Sequence, residues 1–61
     1  MEKQTKESFN TKLAGVSSLS IVEVSNSDHL INRYFDNSTG QVVAVSVTYK
    51  STGGVEYYSI T

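Results

Sequence analysis

The chain has no cysteine, no proline and a single histidine, and its five Lys+Arg against six Asp+Glu leave a net charge of only −1. Each scarcity removes a class of function. Without cysteine there is no disulfide framework and no thiolate metal site. One imidazole, His29, cannot form a multi-histidine cage. Near-neutral charge lacks the Lys/Arg excess of a duplex DNA binder, and no acidic block suggests a nucleic-acid mimic. No apolar run approaches the roughly 20 residues of a membrane-spanning helix. The opening MEKQTKESFN is charged and lacks the apolar core of a signal peptide. The expectation is a cytoplasmic protein with no membrane partner. Asn37, Ser38 and Thr39 match a glycosylation triplet, which carries little weight without a secretion signal.

Sixty-one residues imply one small domain, 1–61. A chain this short buries only about 60% of the surface it exposes when unfolded. Without staples it needs very regular packing or a partner, a first pointer to binding or self-association.

What is abundant is Ser, Thr, Asn and β-branched residues. Residues 41–50, QVVAVSVTYK, alternate and suit a half-buried strand. Gly40 and the Gly53–Gly54 pair on either side supply the positive φ of hairpin turns. A loop over 37–40 sets Asp36 opposite Gln41, Tyr34 opposite Val43, Asn32 opposite Val45 and Leu30 opposite Val47. A turn with Ser51 opposite Gly54 sets Val47 opposite Tyr58; moving that turn to Gly53–Gly54 shifts the partners by two and keeps the faces. A shift by one would invert them. One face then carries Leu30, Tyr34, Val43, Val45, Val47, Tyr49, Tyr58 and Ile60, with Asn32 and Glu56 as polar exceptions, and reads as the core. The other is mixed and carries Ile31, Arg33, Phe35, Val42, Ala44, Ser46, Thr48, Lys50, Val55, Tyr57 and Ser59.

Residues 19–25, LSIVEVS, predict a further strand. His29 to Tyr34 fits a strand or a helix, with the strand favoured from Arg33 to Asp36. Residues 2–15 predict a helix, because Phe9, Leu13 and Val16 fall on one stripe and Gly15 suits a left-handed residue after its end. An edge strand over 9–16 is the competing reading. The expected fold is α+β: a three- to four-stranded antiparallel meander over 18–61, with the helix packed on Val43, Val45 and Val47. An all-β, barrel-like small sheet is the alternative.

No segment carries a catalytic signature. The serines lie in no nucleophile-elbow pattern, and Gly53–Gly54 is too short for a phosphate loop. Asp28 and Asp36 sit where aspartate caps turns, and Glu2, Glu7, Glu23 and Glu56 form no evident dyad. His29 and its neighbour Asp28 point apart on a strand. No enzyme activity, cofactor or metal is expected.

Arg33, Phe35, Lys50 and Tyr57 stand out, because the parity above sets them on one face. Cations beside aromatic rings occur at protein hot spots and on single-stranded nucleic-acid platforms. The final strand, with Val55, Tyr57 and Ser59, would offer an edge for pairing with another chain or a second copy. These features point to a non-enzymatic binding protein with a protein partner and a possible homodimer. By analogy of size class, such proteins include accessory factors and inhibitors of the kind bacteriophages encode. A weak single-stranded nucleic-acid binder is the less favoured alternative.

Overall fold

The structure, a computed structural model, describes residues 1–60. The chain runs β1 (Glu2–Gln4), α1 (Lys6–Ala14), β2 (Leu19–Ser25), β3 (His29–Asp36), β4 (Gln41–Tyr49) and β5 (Val55–Ser59). The strands form one antiparallel sheet ordered β1-β5-β4-β3-β2. It remains open, with β1 and β2 at its edges, so the barrel-like alternative is not realised.

The expected meander is present as β2 to β5, joined in sequence by hairpins, and His29 to Tyr34 is strand. A fifth strand was not anticipated. Residues 2–4, read as the start of the helix, instead pair with 57–59 of β5. The helix therefore begins later, where the Thr5 hydroxyl accepts from the Ser8 N–H at 3.1 Å and satisfies one of the first-turn donors. Gly15 ends it in a right-handed conformation, φ −78°, not the expected left-handed one. The expected last strand reached Thr61, which lies outside the described residues. β1 and β4 flank β5 over 57–59, so Tyr57 and Ser59 are interior and not at an edge, while Val55 lies beyond the end of β1.

Both hairpins turn on a glycine, but in the second Tyr49 and not Ser51 stands opposite Gly54, so the β4–β5 partners lie two residues from those expected. Asn37 to Gly40 close the β3–β4 hairpin with Gly40 at φ +74°, and Lys50 to Gly53 close the β4–β5 hairpin with Gly53 at φ +74°. Asp36 caps the first turn by accepting from the Ser38 N–H at 2.8 Å. Before β3 that task falls to Asn26, whose side-chain oxygen accepts from both Asp28 and His29 N–H groups.

The decisive departure is a bulge. Asp36 pairs with Gln41 and Phe35 with Val42, as the loop requires, but Tyr34 pairs with Ala44. Val42 and Val43 together stand opposite one residue of β3, so the register beyond them shifts by one. Arg33 now pairs with Val45 and Ile31 with Val47, while Tyr34, Asn32 and Leu30 pair with Ala44, Ser46 and Thr48. Between β4 and β5 the anticipated parity holds, with Val45 opposite Tyr58 and Val47 opposite Glu56.

That one-residue shift decides which face is the core. Directly paired residues share a face, so Ile21, Tyr34, Ala44, Ser59 and Glu2 form one cross-sheet row, beside Glu23, Asn32, Ser46, Tyr57 and Gln4. α1 lies on this side. The Phe9 ring meets Tyr34 at 5.2 Å edge-on and Tyr57 at 5.0 Å. The buried residues among those described are Phe9, Ala44, Ser46 and Ser59. The helix therefore packs on small side chains, not on Val43, Val45 and Val47, because Ala and Ser let a single large ring sit close to the sheet. The buried hydroxyls are satisfied: Ser59 accepts from Gln4 Nε2 at 2.8 Å, and Ser46 bonds the Tyr34 hydroxyl at 3.3 Å.

Among the described residues no helix is long and apolar enough to cross a membrane.

Candidate functional site

A single helix is roughly 10–12 Å across, whereas five strands span about 19 Å between their outermost members. α1 thus lies over the β1–β5 end of one face, its Phe9 reaching Tyr34 of β3, and leaves the β2 end of that face bare; the opposite face carries no second layer. Its rows read Lys3, Tyr58, Val45, Arg33, Val22 and Glu56, Val47, Ile31, Val24, with Tyr49 paired to His29 beyond them. The bulge adds Val42 opposite Phe35. Total accessible surface, 4000 Å², is close to the roughly 3,900 Å² expected for a compact monomer of this mass. The fold is therefore not loose; its apolar surface is unevenly distributed. The valines of β4 expected as core are only half-buried, and Val22 and Val24 are each 43% exposed.

The four residues singled out from the sequence do not come together. Arg33 and Phe35 lie on the open face. Tyr57 points to the helix against Phe9. Lys50 lies in the β4–β5 turn, where its Nζ donates to Ser25 Oγ at 2.7 Å. The cause is again the bulge: without it β3 and β4 would have opposite relative parity.

One end of the open face holds a polar cluster that the sequence reading only half contained. Glu56 Oε1 accepts from the Tyr49 hydroxyl at 2.5 Å and the Tyr58 hydroxyl at 3.1 Å, and Oε2 accepts from Lys3 Nζ at 3.0 Å. Tyr49, Glu56 and Tyr58 share a parity legible in the chain. Lys3 does not join them until residues 2–4 are recognised as strand. The Tyr49 donation first, then Lys3 and Tyr58, holds the Glu56 carboxyl down at about 2. The same bonds to Glu56 push both phenols and the Lys3 ammonium up. A carboxylate so well supplied with donors is a poor proton acceptor, and the cluster's evident role is to tie β1, β5 and β4 together.

This gives a pH dependence. The folded value of Glu56 lies below the ordinary 4.5, so the native state binds fewer protons than the unfolded chain. The stabilisation is complete above about pH 4.5 and is lost as pH falls towards about 2. Urea midpoints of wild type should fall over that window, and those of Glu56→Gln should fall less. Equal acid slopes would show that the cluster contributes nothing. Lys3 is exposed and Glu56 only half-buried, so added salt should shrink the part of the difference that comes from Lys3.

His29 lies against Tyr49, ring centroids 5.0 Å apart. Among the described residues no group of three or more His, Cys, Asp or Glu is arranged to hold a metal, and no cleft is enclosed.

No family model matches the chain, and neither a curated protein nor a solved structure matches it.

Proposed function

We propose that this is a non-enzymatic interaction protein that receives a protein partner on its open sheet face. The observation that carries this is the apolar side of the sheet left without a layer: Ile31, Phe35, Val45, Val47, Val22 and Val24. A sheet with apolar residues on both sides is stable when both are covered, and this chain has one short helix to offer. The partner's chemistry follows from the charges. Lys3 and Glu56 neutralise each other at one end. Arg33 is exposed at the centre of the face, and among the described residues no carboxylate meets it. A fitting partner presents an apolar surface with an acidic side chain opposite Arg33, which fixes orientation as well as adding attraction.

Separation of Lys50 and Tyr57 from Arg33 and Phe35 removes the stacked, basic arrangement that a single-stranded nucleic-acid platform needs. A protein partner is therefore the stronger reading.

The test is affinity capture from the native cell with wild type, Arg33→Glu, Phe35→Ala and, as a control on the exposed side of the helix, Lys12→Glu. One nuclease-resistant protein should be recovered, with retention falling about tenfold or more for the two face variants and unchanged for the control. Recovery indifferent to Arg33 and Phe35 would refute the docking face. Binding that vanishes with nuclease and weakens steeply with salt would instead mark a nucleic-acid ligand.

A further inference from the structure

The two edges of the sheet are built differently. β1 has three residues, of which Glu2 and Lys3 are charged, a short and charged edge of the kind that resists pairing. β2 has seven residues, LSIVEVS, with no proline, no lysine and no bulge against β3. All but Leu19 are exposed, and its Ile21, Val22 and Val24 are exposed large hydrophobics on a single strand.

The direction of its free backbone groups can be read from the bonds at its ends. Asn26 N–H donates to His29 C=O at 2.9 Å, and Ser18 C=O accepts from Asn37 N–H at 3.0 Å. In an antiparallel ladder the bonded positions alternate, so Ser20, Val22 and Val24 bond inward to β3. Leu19, Ile21, Glu23 and Ser25 turn their N–H and C=O groups outward, where among the described residues no strand meets them.

We infer that β2 pairs antiparallel with β2 of a second copy of this chain about a two-fold axis through Val22, joining two five-stranded sheets into one. Several facts select this occupant and this register. Outward residues must pair with outward residues, which places the two-fold centre on a residue of β2 and not between two residues. Only the centre at Val22 keeps all seven residues of β2 paired: Leu19 meets Ser25 of the second copy, Ile21 meets Glu23, and Val22 meets Val22. A centre at Glu23 sets two carboxylates directly opposite, which is destabilising. The Val22 centre avoids that and seats the two Val22 side chains in a non-hydrogen-bonded pair, the closer of the two antiparallel spacings. An interface of this kind is isologous and closed.

The axis is perpendicular to the sheet, so the open faces of both copies lie on the same side and merge along Val22 and Val24. The dimer does not rest on the docking role. It uses backbone groups at the β2 edge, and either property can fail without the other.

Sedimentation velocity on the whole chain should show a reversible dimer below about 100 µM, a modest affinity in keeping with one strand pair. Val22→Lys should leave the thermal melt of the fold near wild type, because Val22 is 43% exposed. The same change should weaken the dimer at least about tenfold by opposing two ammonium groups at the axis. Register is read independently of that variant's folding. Under mild oxidation Val22→Cys should form an intermolecular disulfide, whereas Ile21→Cys and Glu23→Cys, each opposite the other's position, should not. A chain that stays monomeric throughout this range overturns the inference. So does a cross-link through Ile21→Cys or Glu23→Cys in place of Val22→Cys, or a Val22→Lys dimer as tight as wild type.

Discussion

Replacing Phe9 by alanine is expected to unfold the protein. Phe9 is the only large hydrophobic side chain buried among the described residues, at 3% exposure, and its ring joins the helix to β3 through Tyr34 and to β5 through Tyr57. Truncating a buried phenylalanine costs about 3–5 kcal/mol. A chain of 61 residues has a total stability of roughly 3–9 kcal/mol, so the loss is comparable to the whole margin. Phe9→Ala should show little or no cooperative urea transition at 25 °C. Leu13→Ala, at a half-buried position of the same helix, should remain folded. A Phe9→Ala melt within a few degrees of wild type would mean that the helix does not close the core.

The second large effect concerns two single-residue deletions in β4. Deleting Val43 should be tolerated, at a cost on the order of 1–2 kcal/mol for one half-buried valine and one backbone bond. That bond is the one from Ile60 N–H to Val43 C=O. The deletion turns the bulge into a regular ladder in which Tyr34 still meets Ala44 and Phe35 still meets Val42. Deleting Val47 should abolish folding. With the bulge absorbed, Val43 and Val45 would replace Ala44 and Ser46 beneath Phe9, and overpacking costs about 1–3 kcal/mol at each site. With the bulge kept, Tyr49 and the following turn move out of register, and the bond from Tyr49 to Glu56 is lost. Circular dichroism and urea unfolding of the two variants decide it. Equal damage from both deletions would contradict a bulge at Val43.

Several features of the fold could be read from residues alone, and for local reasons. Gly40 and Gly53 stand where a positive φ is needed, and both hairpins close there. Alternating β-branched residues mark β4, and the short run bounded by polar residues marks β2. The shared parity of Tyr49, Glu56 and Tyr58 survives because nothing interrupts the ladder between β4 and β5. Residues 2–4 were hidden because a three-residue strand has almost no period of its own. It forms only because Tyr57, Tyr58 and Ser59 lie beside it.

The candidate site was less legible, and one valine accounts for most of the loss. Parity sorts side chains only while every residue advances the ladder by one step, and Val43 does not. Its trace in the chain is the Val42–Val43 pair, an interruption of alternation that hydrophobicity by itself disguises. A rule that places the larger apolar residues inside then selected Val45 and Val47. The helix, carrying one large ring, instead needed a floor of Ala44, Ser46 and Ser59. Short-range chemistry thus settled where the chain turns and which stretches are extended. Which side of the sheet is inside, which strand is left at the edge and whether Arg33 has company depended on packing between distant segments, because a face becomes a core only when another element arrives to cover it.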